Sequence, residues 1–93
     1  MVQKEPHNSA NYNNLGVIQK NSKKYEPAFL NLKKAIELNP EFADAYYNMG
    51  VLSASMNNFA EAEDYLRKAD NFKNNDPLIQ TVRAVNLNKL NQT

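Results

Sequence analysis

Apolar residues recur at spacings of three and four along most of the chain, the periodicity of helices that bury one face. Residues 10–21 bring Tyr12, Leu15, Ile18 and Gln19 to one side, with Gly16 beside them. Residues 25–38 do the same with Ala28, Leu32, Ala35 and Ile36. The pattern returns over 43–55 and 59–72, and once more from Pro77 onward, where Leu87 and Leu90 follow Ala84. Polar punctuation separates these stretches: Asn21-Ser22-Lys23-Lys24, Asn39-Pro40, Asn57-Asn58 and Asp76-Pro77. Each has a local reason. Asn tolerates the left-handed conformation that tight turns demand. Asp before Pro is a strong helix start, and Pro27 falls in a first turn, where a missing N–H does no harm. Ser9 or Asn8 is expected to cap the first helix. Five helices are predicted.

The chain also matches itself. Moved back by 34 places, Tyr46-Tyr47-Asn48-Met49-Gly50-Val51-Leu52 falls on Tyr12-Asn13-Asn14-Leu15-Gly16-Val17-Ile18. In the same register Phe59 meets Tyr25, Ala62 meets Ala28, Leu66 meets Leu32 and Ala69 meets Ala35. Self-similarity at a fixed period of this size marks stacked helix-turn-helix units. A glycine inside a helix costs about 1 kcal/mol, so its return in both copies predicts a close helix contact.

An aromatic, two residues, Leu or Met, then Gly, followed by Ala-x-x-x-Leu, a second Ala and Pro: this arrangement resembles the tetratricopeptide repeat (TPR). The matching positions are Tyr12, Leu15, Gly16, Ala28, Ala35 and Pro40 in one copy, and Tyr46, Met49, Gly50, Ala62 and Ala69 in the next. The resemblance implies an all-α fold, a right-handed TPR-type α-solenoid of two full repeats (9–42 and 43–76) and a capping half repeat (77–93). Pro6 lies one period before Pro40, so residues 1–8 resemble the tail of a preceding repeat, and a piece cut from a longer array is expected. Two departures stand out. Asp70 and Asn74 replace Ile36 and Pro40, which predicts a looser end to the second repeat. Arg83 and Asn86 stand where Leu15/Met49 and Ile18/Leu52 stood, which predicts a polar face turned to water on a terminal helix.

Composition narrows the chemistry. The 93 residues carry a net charge of +1 and no cysteine, which excludes disulfides and thiolate chemistry. His7 is the only histidine, so a transition-metal site would need carboxylates alone. Glu61, Glu63 and Asp64 open a helix, where acidic residues favour the dipole. The serines have no evident base to activate them, and Gly16 and Gly50 form no phosphate loop. No catalytic residue, metal or cofactor is predicted. Lys20, Lys23, Lys24, Lys33 and Lys34 are the one basic concentration, and the second repeat turns acidic, unlike a nucleic-acid binder with basic charge along its whole face. No apolar run approaches the roughly 20 residues of a membrane span. The compartment stays open, with the cytoplasm favoured over periplasm or exterior.

What remains is protein binding. In the family that the sequence resembles, the first helix of each repeat lines a concave groove. Here that implies Asn13 and Val17, then Tyr47, Asn48 and Val51, then Leu78 and Val85. Val17, Val51 and Val85 would form an apolar floor, with the amides of Asn13 and Asn48 turned toward a bound backbone. The carboxylate clamp of some family members is not expected, because of its places only Asn48 matches; Asn13, Leu78 and Val82 hold the basic positions and Val17 the other Asn. The expected role is a non-catalytic module that holds a protein or peptide. One alternative is a stacking unit of a longer array, prone to weak self-association because residues 1–40 carry six Lys against three Glu and residues 41–93 five basic against seven acidic residues. Another is the repeat portion of a larger enzyme, positioning a protein substrate.

Overall fold

The structure, a computed structural model, describes residues 5–92, with side chains from residue 8 onward; residues 1–4, the His7 side chain and Thr93 lie outside it. Five helices follow one another: α1 (Glu5–Asn21), α2 (Tyr25–Leu38), α3 (Ala43–Ser55), α4 (Phe59–Phe72) and α5 (Pro77–Asn91). Four begin where the sequence pattern places them. The first does not. α1 starts at Glu5 rather than near residue 10, and Ser9, expected as its cap, lies inside the helix and is 3% exposed. Pro6 therefore sits in a first turn instead of ending an earlier helix, as proline can because the N–H it lacks has no helical acceptor there.

The two turns within repeats are copies. Lys23 and Asn57 both have φ of 64°. Behind them Lys24 N–H donates to the Gln19 carbonyl at 2.8 Å, and Asn58 N–H to the Ser53 carbonyl at 2.8 Å. A left-handed residue after the helix lets the next N–H groups reach back to otherwise orphaned carbonyls. Lys23 tolerates that conformation less well than Asn57: the Cβ of each crowds the following carbonyl, but only the short Asn amide can offset this by hydrogen-bonding locally. Asn75, also at 64°, makes the turn before α5. There the Asp76 side chain accepts the Leu78 N–H at 2.9 Å, the one side-chain cap seen at the start of α2 to α5.

Within each repeat the helices approach closely at their glycines. A Cβ on Gly16 would lie 2.6 Å from Leu32 Cγ, and one on Gly50 2.7 Å from Leu66 Cγ. Ala28, Ala35, Ala62 and Ala69 are fully buried at the same seams. Tyr46 reaches back to donate its hydroxyl to the Pro40 carbonyl at 2.9 Å, and its ring stacks on Phe72 at 5.6 Å between centroids.

α1 touches α3, and α3 touches α5, whereas α2 and α4 make no such contact. A two-layer stack bends toward the layer whose members meet, so α1, α3 and α5 line its inner side. The whole extends 50 × 29 × 17 Å.

Between repeats the packing is of two kinds. At the α2–α3 junction Ala28, Leu32, Met49 and Leu52 form a buried apolar cluster, flanked by Phe29, Ile36 and Met56. At the α4–α5 junction, one period later, Ile79 packs with Ala69 and Tyr46 near the start of α5, but beyond it the groups in contact are charged or amide. Arg83 donates to Glu63 at 2.7 Å and lies 3.6 Å from Asp70, and Asp70 accepts from Gln80 at 2.6 Å. Asn86, 2% exposed, donates to the Phe59 carbonyl at 2.9 Å. The expectation of a polar α5 face turned to water is thus reversed. Arg83 and Asn86 point inward at α4, and the open side of α5 carries Ala84, Val85 and Leu87. Among the described residues no helix covers Ala84, which stands at the place Gly16 and Gly50 occupy. Asp70 likewise does not loosen its repeat: it joins α4 to α5 through Arg83 and Gln80.

Candidate partner-binding surface

The residues expected to line the inner side come from α1, α3 and α5, and they separate into two groups. The first lies between α1 and α3. Asn48 donates its amide to the Asn13 side-chain oxygen at 2.9 Å, tying helices 35 residues apart. Asn13 is 8% exposed and Asn48 half-buried. These amides meet each other, contrary to the expectation that both turn to a bound backbone. Lys20, in the last turn of α1, and half-buried Val17 complete this stretch.

The second group lies between α3 and α5, where a cavity of about 300 Å³ opens. Tyr47, Val51 and Val85, expected from the sequence, meet there with Ala54, Phe59 and Val82. Asn86 is the one fully buried residue of the lining and forms its floor; Ser55 and Lys89 stand at its rim. Leu78, also expected in the groove, is 58% exposed in the first turn of α5 and is not part of this lining. Phe59, Asn86 and Lys89 were not anticipated, and Val82 was assigned only to a clamp position and not to the apolar floor. Val82 was legible in principle, because it stands one period after Asn48, itself a groove position.

The two inter-helix spaces differ because of substitutions at equivalent places. One period apart, Tyr47 replaces Asn13, Val82 replaces Asn48 and Ala54 replaces Lys20. The amide bridge and the long lysine chain are thereby removed together. An apolar crevice is what remains.

The electrostatics around it follow from the same residues. Burial, and secondarily the Asp76 carboxylate, raises the pKa of the Tyr47 hydroxyl, which stays a neutral donor. Lys73 bridges Asp44 at 3.3 Å and Asp76 at 3.4 Å, and these contacts raise its own pKa. Asp64 pairs with Arg67 at 2.8 Å, and Glu63 and Asp70 face Arg83. The acidic excess of the second half is therefore largely matched within that half. α5 itself carries Arg83 and Lys89 and no acid, so opposite charge at the two ends, expected from the halves, is not found. Lys89 has no carboxylate partner among the described residues.

Among those residues no group of three or more His, Cys, Asp or Glu is placed to hold a metal ion. Among the described residues no helix is long and apolar enough to cross a membrane. The surface offers shape, apolar area and a few polar contacts, the means of holding another chain. No curated protein matches the chain. The family model for the tetratricopeptide repeat, whose members generally mediate protein–protein interaction, matches residues 21–85. With that match over well more than half its length, and with five helices in the order and register described, the chain belongs to the tetratricopeptide repeat family.

Proposed function

We propose that the protein is a non-catalytic module that holds an extended or helical segment of a partner protein against α1, α3 and α5. One observation carries the reading: the cavity between α3 and α5 gathers Tyr47, Val51 and Val85, which sequence alone nominated, into a mainly apolar lining. An aromatic set among aliphatic walls offers large contact area at low entropy cost. Val17 extends the apolar strip toward α1. Asn13 and Asn48 set the spacing of α1 and α3 through their mutual bond, and Leu78 marks the outer edge of the surface. A module this size is expected to bind in the micromolar range, about −8 kcal/mol. The test is partner capture with the double variant Tyr47→Glu and Val51→Lys, with circular dichroism on the same sample. Retained helicity with lost capture supports the reading; early melting with unchanged capture by the surviving folded protein overturns it.

A second reading has its own observation. Leu15 is 42% and Ile18 61% exposed on α1, at the places where Met49 and Leu52 are covered by α2. A preceding repeat or a second copy stacked there would cover them. Light scattering at millimolar protein separates weak association from a strict monomer, and the strict monomer dismisses stacking between copies.

A further inference from the structure

α5 is attached to the stack by other means than α3. The 13 residues of α3 include Ala45, Tyr46, Met49, Gly50, Leu52 and Ser53 as buried positions, whereas the 15 of α5 include only Ile79 and Asn86. Hydrophobic stabilisation scales with the apolar area removed from water, so little of it holds α5. Charge does more. α4 bears Glu61, Glu63, Asp64 and Asp70 against Arg67 and Lys68, while α5 bears Arg83 and Lys89 and no acid. An acidic helix thus receives a basic one, with Arg83 at 2.7 Å from Glu63 and 3.6 Å from Asp70. The α2–α3 junction has no such attraction: in α2 Glu26 and Glu37 offset Lys33 and Lys34, and α3 carries Asp44 alone. The link into α5 runs through exposed Asn74 and Asn75, beside the half-exposed Lys73 that bridges Asp44 and Asp76. Docking also leaves Glu63 Oε1, Arg83 Nε and Asn86 Oδ1 buried without partners, a cost that opening to water removes.

We infer that α5 is a salt-sensitive strap, which undocks and unfolds as one unit about residues 73–76 while α1 to α4 stay folded. A helix of this length is marginal alone in water, so leaving α4 and losing helical structure are a single step. The face uncovered on α4 presents Glu63, Asp70 and the Phe59 carbonyl, groups that water accepts. The four remaining helices keep the apolar cluster of Ala28, Leu32, Met49 and Leu52 and the seam of Leu66 against Gly50. The strap bears on the inner side of the stack. The cavity there has Tyr47 and Val51 of α3 on one wall and Val82 and Val85 of α5 on the other, so it exists only while α5 is docked. Salt shortens the reach of charge from about 30 Å at 0.01 M to about 3 Å at 1 M. Rising ionic strength therefore opens the strap and dismantles the cavity. The inference goes beyond the groove reading and does not depend on it, because the docking of α5 can be followed with no partner present.

The experiment is native-state amide hydrogen exchange on the full chain, read by NMR at low and high sodium chloride. Amides of Val82, Ala84, Val85 and Asn86 should share one opening constant, at least about tenfold larger than that of Met49 and Leu52 in α3. Between about 0.02 M and about 0.5 M salt the α5 constant should rise at least about threefold, while that of α3 stays nearly unchanged. Comparing the two helices in one sample cancels the effect of salt on exchange chemistry. Arg83→Met with Glu63→Phe and Asp70→Ile copies Met49, Phe29 and Ile36 of the α2–α3 junction. It should bring the α5 constant close to that of α3 and abolish the salt response. Lys73→Ala, an exposed change that does not touch the core, should raise the α5 constant alone. One constant common to α3 and α5 in the native protein overturns the inference, because α5 then opens only by global unfolding. A constant shared by α4 and α5 overturns it too, since the opening unit is then larger than the strap. So does an α5 constant indifferent to salt, or a salt response that persists in the triple variant.

Discussion

The α2–α3 and α4–α5 junctions occupy the same place in successive repeats and are held together by different chemistry. Leu52 and Met49 are 0% and 1% exposed against α2, in an apolar cluster. One period later Asn86 and Arg83 face α4 through hydrogen bonds and ion pairs. In both, the first helix of a repeat docks on the second helix of the one before: α3 on α2, and α5 on α4. What differs is how each junction responds to loss. An apolar contact fails in proportion to the area and cavity involved. A buried polar contact fails by leaving its partner unsatisfied. The polar junction already shows such a deficit: Glu63 Oε1, Arg83 Nε and Asn86 Oδ1 are buried without partners.

The largest expected effect is on the apolar side. Leu52→Ala should lower stability by about 2–5 kcal/mol. In so small a chain that consumes much of a total of roughly 5–15 kcal/mol. Urea unfolding measures it, and a loss below half the lower figure would show that α2 and α3 collapse around the gap. Arg83→Ala comes next. It removes the cation between Glu63 and Asp70, both only partly exposed, and should cost about 1–3 kcal/mol. Arg83→Met, with Glu63→Phe and Asp70→Ile to rebuild the apolar junction, should recover that loss or exceed it, because apolar replacements of buried ion sets are commonly neutral or stabilising. If the rebuilt junction is weaker than the native one, the polar layer is a net stabiliser and the contrast drawn here fails.

A smaller effect probes the seam within a repeat. Gly50→Ala would place a Cβ 2.7 Å from Leu66 Cγ, so Leu66 must shift. The expected cost is about 1 kcal/mol or more, after the gain in helix propensity is set against overpacking. Ala84 stands at the corresponding place on α5 and is exposed. Ala84→Gly relieves no crowding and should simply destabilise by about 1 kcal/mol, as at any open helix site. Thermal melts of both variants test whether the glycine is demanded by a neighbour or by the helix itself.

These contrasts also explain what was legible in the sequence. The starts of α2 to α5 were legible because the apolar pattern recurs with a period of 34, with turns at the equivalent Lys23 and Asn57 and a separate cap signal at Asp76. The start of α1 was not legible: Pro6 reads equally as the end of one helix and the first turn of the next. Nor was the orientation of α5. Polarity suggested that Arg83 and Asn86 face water, but position in the repeat governs which side meets α4, and Glu63, Asp70 and the Phe59 carbonyl supply partners. At the binding surface the pattern found Tyr47, Val51 and Val85 because they keep the groove period. It could not foresee that Asn13 and Asn48 bond to each other, which depends on the distance between α1 and α3.

The smallest effect concerns how α5 is anchored at its first turn. Asp76 accepts the Leu78 N–H, and this bond, ahead of the contact with Lys73, holds its carboxyl below the ordinary value of 3.8, against the opposing effect of desolvation. A carboxylate with a depressed folded pKa adds stability that is fully present above its unfolded pKa. That stability disappears as pH falls through the folded value. The α2–α3 junction contains no titrating group of this kind, so only the attachment of α5 should weaken in mild acid through this residue. Asp76→Asn isolates the contribution: asparagine caps a helix about as well as aspartate but does not titrate. At neutral pH the variant should melt close to the native protein, slightly lower because the contact with Lys73 loses its charge. As pH drops below about 4 the native protein should lose stability relative to the variant and the two melting temperatures converge. A gap between them that stays constant from neutral pH to pH 3 would show that the Asp76 charge contributes nothing to holding α5. Asp76→Ala, which removes the cap at every pH, should then remain the weaker of the two variants throughout.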